Sequence, residues 1–248
     1  MSSRPLPPAG IDGESLDVLR YAFGRAAHDL NNYLSGLLGY LALLKSGLGD
    51  EPEYARYCGL MDKSGGNMAA LVSAFADFAE PGIADASPAD VNAVVRSAVK
   101  HAVVAAGLDL TLELDEAAPR VVAHSGSLRE AVAQVLRNAL EASSERPAAV
   151  TIRTASAPLP AEWLVPPGEK AGQWVRIEVT DHGAGMDEAT VRSCVVPFFT
   201  TKRATDQHGL GLALVCSGLH AWGGGLDVQS KPNAGTTVSL YLRAAEPR

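Results

Sequence analysis

A chain of 248 residues with 47% apolar and 20% charged side chains has ordinary globular composition and enough length for one good-sized core or two small ones. Its formal net charge of −7 excludes a general polyanion binder, whose affinity rests on clustered Lys and Arg, so any phosphate chemistry must be local. Cys58, Cys194 and Cys216 supply neither a disulfide framework nor a CxxC metal site, and no apolar run approaches the ~20 residues of a membrane span.

The start, MSSRPLPPAG, lacks the apolar centre of a signal peptide and reads as a disordered Pro-rich extension over residues 1–12 of a cytoplasmic protein. From there the apolar positions Leu16, Leu19, Phe23, Ala26, Leu30, Tyr33, Leu37, Leu41 and Leu44 mostly alternate steps of three and four, which predicts one helix with a bundle-type seam. KSGLGDEP breaks it. The pattern resumes at Tyr54, Tyr57, Met61, Ser64, Met68, Leu71, Phe75 and Phe78, until Pro81-Gly82 closes it. Two helices and a short turn make an antiparallel hairpin over residues 13–81. Such a hairpin cannot enclose its own seam; either the next domain covers it or, as expected here, two copies pair into a four-helix bundle.

Inside the first helix stands AHDLNNYL. At roughly 100° per residue, His28 lies about 200° from Ala26 and from Leu30, so it should face away from the seam. Asn32 lies one turn above it on the same face, and Asp29 is its sequence neighbour. An ordinary solvated face would look the same, and the helix alone assigns no chemistry to His28. Gly36 and Gly39 each cost the helix about 1 kcal/mol relative to Ala, which points to a bend or close packing beyond this patch.

PGIADASPAD, from Pro81 to Asp90, ends the hairpin at residue 81 and reads as a linker over residues 82–90, after which heptads give way to mixed elements. DVNAVVRSAVKHAVV predicts a helix, LDLTLELD an alternating strand, SLREAVAQVLRNALEAS an amphipathic helix and AVTIRTA a strand. A Pro-rich excursion over residues 157–172 leads to strand QWVRIEVT. This order predicts an α/β two-layer sandwich with a mixed sheet over residues 91–245, following the helical hairpin.

The last of those strands runs into DHGAGMD, placing Asp181 at a strand end before Gly183 and Gly185. A carboxylate there can accept from the exocyclic amine of a purine, and glycines let backbone approach a ligand; a tight turn alone would look similar. HGLGLALVCSGLHAW sets Gly209, Leu210 and Gly211 at the start of a helix, where free N–H groups favour an anion such as phosphate. Neither the dinucleotide fingerprint nor the GxxxxGK[ST] loop is present.

Together these segments resemble the transmitter core of two-component sensor histidine kinases over residues 16–242. HDLNNYLSGLLGYLALL is similar to the phosphoacceptor box of the nitrogen-regulator-like and hybrid-kinase subgroup, QVLRNALEAS to the N box and DHGAGMD to the first glycine box. PFFTTK is similar to the F box, HGLGLALV to the second glycine box and GGGLDVQSKPNAGTTVSLYL to the terminal hairpin. The resemblance implies a dimerisation and phosphotransfer hairpin followed by a Bergerat-type ATP-binding domain.

It also implies roles. His28 would attack the γ-phosphorus of ATP, with Asp29 orienting its ring. Asn138 would hold Mg2+, Asp181 would read adenine, and Gly183 and Gly185 would pass the nucleotide. Gly209, Leu210 and Gly211 would cradle the phosphates under a lid at residues 203–208, and Lys202 would pair with the terminal phosphate. The phosphoryl group would go to an aspartate in the receiver domain of a separate response regulator. The amide of Asn32 is implicated in positioning water for dephosphorylating that partner.

Several positions depart from the family pattern: Gln134 stands where the N box begins with Asn, Val196 where an acidic residue precedes Pro-Phe-Phe, Ser125 and Gly126 at an Asp-Pro-like entry, and His208 where Gly or Thr precedes the second glycine pair. Each weakens the nucleotide site slightly, so activity is expected at a reduced rate. His101, His124, His182 and His220 lack ligand spacing and read as surface or packing residues. No sensor segment precedes the hairpin, so input is expected from a separate sensor or regulator protein, the N-terminal extension or a domain outside this chain. Two other readings are weaker. A phosphotransferase relay that does not use ATP is disfavoured by the intact glycine boxes, and an ATPase or protein-serine kinase by the hairpin bearing His28. Neither nucleic acid nor membrane is expected as a partner.

Overall fold

The computed structural model describes residues 13–47, 52–80, 87–103, 109–143, 149–158, 173–201 and 208–245. They fall into a helical unit, Glu14–Glu80, and an α/β unit within Pro81–Arg248. Among the described residues no helix is long and apolar enough to cross a membrane.

The helical unit is a hairpin of α1, Gly13–Gly47, and α2, Pro52–Ala79. Pro52 occupies the first helical position, where its missing N–H has no intrahelical partner to lose, and Lys45 in the last turn of α1 complements the dipole there. Lys45 also pairs across the hairpin with Asp62. Away from the turn the core is aromatic: Phe23 meets Phe75 and Phe78 with ring centroids 4.9 Å apart in each case, and Phe78 is buried.

The seam between the helices differs from the predicted one. Ala27, Leu34 and Leu41, spaced by heptads, are buried, whereas Leu30, Tyr33, Leu37 and Leu44 are exposed. Tyr54, Tyr57, Met61 and Met68 of α2 are exposed as well. So α1 carries two apolar stripes: an inner one closed by α2 and an outer one left in solvent. A groove of about 430 Å³ opens between the helices, walled by Leu34, Leu37, Leu41, Leu60, Met61 and Met68. A Cβ added at Gly36 or Gly39 would meet nothing within 4 Å, so neither glycine is required by packing inside the chain.

The α/β unit is a two-layer sandwich. Its five-stranded sheet has the order β2-β4-β5-β7-β6, with β2 (Asp109–Leu114) parallel to β4 (Ala149–Ala157). β5 (Trp174–Asp181), β7 (Thr236–Arg243) and β6 (Gly225–Ser230) complete it in antiparallel register. Helices α3 (Val91–Val103), α4 (Ser125–Ala142) and α6 (Gly211–Ala221) pack with the sheet around one core. In β5, Val175, Ile177 and Val179 alternate inward and are buried to within 1% of completely, each contributing about 1.5–3 kcal/mol. The mixed sheet and helical layer agree with the sequence reading.

Three short elements were not foreseen. β1 (Ser87–Ala89) folds out of the end of the expected linker and pairs with β3 (Val121–Ala123), and α5 (Glu188–Ser193) follows the first glycine segment. Of the excursion expected over residues 157–172, Ala157 belongs to β4 instead, and residues 159–172 lie outside the described residues. Cys58, Cys194 and Cys216 form no disulfide, and burial pushes the Cys194 thiol up to about 11, which disfavours its thiolate.

His124, read from sequence as surface or packing, is the N-cap of α4: its Nδ1 accepts from the Ser127 backbone N–H at 3.2 Å. An imidazole acceptor here does what Ser or Asp does at other helix starts. His124→Ala is expected to cost about 1 kcal/mol in denaturant unfolding, and His124→Asn to recover most of it. Equal stability of His124→Ala and the parent chain would remove the cap from the account.

Candidate active site

Asp181 ends β5 opposite Thr236 of β7 and is 4% exposed. Its Oδ1 accepts from the N–H of Gly183 at 2.8 Å and of Thr236 at 3.2 Å. Burial pushes this carboxyl above the usual carboxylate range, outweighing the pull of the two N–H groups in the opposite direction. Among the described residues both donors fall on Oδ1, which leaves Oδ2 as an acceptor for a ligand donor such as an exocyclic amine.

The turn after Asp181 is pinned from two sides. Ala184 N–H donates to the Ala142 carbonyl at the end of α4 at 3.3 Å, and the Ala184 carbonyl accepts from Asn233 N–H in the β6–β7 turn at 2.6 Å. Gly185 has φ +66°, and a Cβ there would lie 2.0 Å from the Lys231 carbonyl oxygen. No other residue fits. At Gly183 a Cβ would lie 2.3 Å from the Ala142 carbonyl oxygen. Both glycines therefore bring backbone against backbone, and through that contact fix the carboxylate.

The second glycine segment starts α6. The Gly209 carbonyl accepts from Phe198 N–H at 3.0 Å, which ties the Pro-Phe-Phe turn to it. Leu210, 5% exposed, is the N-cap and makes no side-chain cap bond, so among the described residues the cap position leaves the first N–H groups of α6 open to an acceptor from elsewhere. A Cβ on Gly211 would sit 2.3 Å from Nε2 of Gln134. Gln134 in turn donates to Oδ1 of the half-buried Asn138 at 3.2 Å. Lys202 and residues 203–207 of the segment expected to form a lid lie outside the described residues, and His208, its last residue, is exposed.

One helix thus gathers the pieces. Gln134, Asn138 and Ala142 stand at i, i+4 and i+8 along a single stripe of α4. Gln134 touches the start of α6, and Ala142 touches the turn that orients Asp181. A buried acceptor, open helical N–H groups and an amide oxygen in one row fit a purine nucleotide. Among the described residues no three His, Cys, Asp or Glu cluster as a metal cage. A divalent cation here would lean on phosphates and one amide oxygen, the habit of Mg2+. Sequence reasoning marked Gln134 only as a departure; its contact with Gly211 joins segments far apart in the chain and has no local signal.

On the helical unit, the His28 side chain is 75% exposed and its Nδ1 lies 3.2 Å from Oδ1 of Asp29. With Nδ1–H donating to that carboxylate, Nε2 keeps its lone pair and faces outward. Asp29 and Asn32 are exposed on the same helix. A cavity of about 410 Å³ adjoins His28, walled by Gly24, Asn31, Val72, Ser73 and Glu80. Asn31 rather than Asn32 lines it, a distinction the helical spacing alone does not make.

Residues 123–246 match the family model described as histidine kinase-, DNA gyrase B-, and HSP90-like ATPase. The chain is 28% identical over 232 residues to the signal transduction histidine-protein kinase AtoS of Escherichia coli, covering 92% of this chain and 35% of that protein. It is 27% identical over 225 residues to the sensory histidine kinase/phosphatase NtrB of Rhizobium meliloti, covering 89% of this chain and 57% of the relative. The chain therefore spans about a third to just over half the length of these curated relatives. Full-length ShkA, solved in complex with AMPPNP, shares the fold with a TM-score of 0.63 at 22% identity, covering 96% of this chain and 47% of that one.

Proposed function

We propose, since this chain belongs to the histidine kinase-, DNA gyrase B-, and HSP90-like ATPase family and is a two-component histidine kinase transmitter core, that it moves the γ-phosphoryl group of Mg-ATP onto His28. From there the group passes to an aspartate of a separate response regulator. The observation that supports this most is the α4 stripe, which aligns Asn138 and the start of α6 with the turn carrying Asp181.

In this reading Oδ2 of Asp181 accepts from the adenine amine. Gly209, Leu210 and Gly211 offer the α6 N–H groups to the phosphates, with Lys202 at the terminal one. Gly183 and Gly185 hold the adenine-side turn in place. Asn138 Oδ1 is the group that would hold Mg2+, which when bound spreads the phosphate charge. His28 Nε2 forms the P–N bond as the bond between the γ-phosphorus and the ADP oxygen breaks. Asp29 holds Nδ1–H and stabilises the positive charge that develops on the ring. The receiver carboxylate then attacks phosphorus and the P–N bond breaks. Phosphoryl transfer demands mainly positioning and neutralisation, and these residues supply both.

The experiment is direct: γ-labelled Mg-ATP should leave an acid-labile, alkali-stable label on the chain. Absence of label, or an acid-stable one, would overturn the reading, and absence of nucleotide binding would favour the relay.

Two further parts of the proposal have their own tests. The outer stripe of α1, with Tyr33, Leu37 and Leu44, and the exposed apolar residues of α2 are read as the face where a second copy completes a four-helix bundle. By two-fold symmetry Leu37→Asp removes two leucines from that interface, so the dimer dissociation constant should rise by about 100-fold or more in analytical ultracentrifugation. An unchanged dimer sinks that assignment. Asn32 is read as the residue that positions water to dephosphorylate the partner. Asn32→Ala should leave labelling of His28 intact while slowing phosphate loss from the receiver about 10- to 100-fold. If receiver half-life is unaltered, Asn32 has no such role.

A further inference from the structure

Resting on the nucleotide-site reading above, we propose that Gln134 is a positioning residue that fixes the Asn138 amide with its oxygen available to a divalent cation. An amide is ambiguous as a ligand: turned by half a rotation it offers NH2 where oxygen stood, and Mg2+ accepts only oxygen. At Asn138 a chain of bonds along α4 removes the ambiguity. A guanidinium only donates, so the Gln134 atom that Arg137 meets at 2.6 Å is Oε1. Arg137 is itself held by Glu130 at 2.7 Å. Gln134 is left with Nε2, a donor, to face Asn138 at 3.2 Å, and the atom that receives it is Oδ1. One lone pair of Oδ1 takes this bond and the other remains for a cation.

Gln134 is constrained from the far side too. Its Nε2 lies 2.3 Å from where a Cβ on Gly211 would be, so the first turn of α6 backs the amide as it reaches Asn138. Glu130, Arg137, Gln134 and Asn138 thus form a relay of orientation that starts at an exposed carboxylate and ends at the cation ligand. Such outer partners govern metal affinity by their hold on the ligand, typically by 10- to 100-fold.

The test is calorimetry on the full chain, with AMPPNP as nucleotide and Mg2+ titrated in from excess EDTA. Gln134→Leu keeps the side-chain volume and removes the amide. It should raise the Mg2+ concentration needed for tight AMPPNP binding by about 10- to 100-fold. Its AMPPNP affinity in EDTA and its thermal midpoint should match the parent chain. Arg137→Ala frees the Gln134 amide to rotate while leaving it in place, and should raise the Mg2+ requirement severalfold. An unchanged Mg2+ requirement in either variant, or equal losses with and without Mg2+, overturns the proposal. A parent chain that binds no AMPPNP under either condition overturns the nucleotide-site reading itself and this inference with it, so the two failures are distinguishable.

Discussion

His28→Ala is expected to abolish the acid-labile label, a fall of at least about 10⁴-fold, with AMPPNP affinity at the parent level. The size of the effect follows from the chemistry. Without the imidazole nothing on the outer face of α1 offers a neutral nitrogen whose second nitrogen is anchored by a carboxylate, as Nδ1 is by Asp29 at 3.2 Å. Asp29 and Asn32 flank the position, but an acyl phosphate on Asp29 would lack the alkali stability of the label, and an amide is a poor nucleophile. His28→Ala removes no buried contact, because the side chain is 75% exposed, so the variant should fold normally and the loss can be assigned to chemistry. Persistent acid-labile labelling of the variant would mean that another residue is the acceptor.

Asp181→Asn should separate binding from stability. In the parent chain Oδ1 accepts two backbone N–H groups and Oδ2 is left for the ligand. Asn keeps an oxygen for Gly183 and Thr236 but presents NH2 where, in the proposed nucleotide site, the adenine amine would donate. Two donors then face each other, and nucleotide affinity should fall by about 100-fold, the scale of a lost hydrogen bond to a charged group. The fold should respond in the opposite direction. Burial holds this carboxyl above its usual range, so the folded state binds the proton more tightly than the unfolded chain does. Stability from this group is fully present below its unfolded value and is lost as pH rises through its elevated folded value. At neutral pH the buried charge is a net cost, and the neutral amide should raise the thermal midpoint. That advantage should fade as pH falls into the ordinary carboxylate range. A lower midpoint at neutral pH, or unaltered nucleotide affinity, would refute the assignment.

Some of this was legible in the sequence and some was not, for physical reasons. His28 is exposed as the helical angle predicts, although that angle was measured from Ala26 and Leu30 and the buried stripe runs instead through its neighbour Ala27, about 100° away. The identity of the inner seam does not follow from helical angle: periodicity reports that a helix has apolar stripes, but not which one its neighbour covers. Ala27, Leu34 and Leu41 turned inward, while Leu30, Tyr33 and Leu37 remained in solvent. Asp181 and its glycines were visible as a strand end followed by Gly183 and Gly185, yet what those glycines face, the Ala142 and Lys231 carbonyls, is a fact of tertiary contact. β1, β3 and α5 are too short to show a period. His124 escaped because helix caps are sought among Ser, Thr, Asp and Asn. The i, i+4 spacing of Gln134 and Asn138 was open to view, but the long-range contact with Gly211 that gives it meaning was not.

The fit of Gln134 against the bare backbone of Gly211 also sets terms for how such a chain can drift. Any side chain at 211 must push aside the amide end of residue 134, so substitutions at the two positions are coupled. A lineage that gains alanine at 211 redirects the Gln134 amide in the same step, whereas a shorter residue at 134 removes that demand. Paired exchange at these sites across descendants would be the historical trace of the coupling.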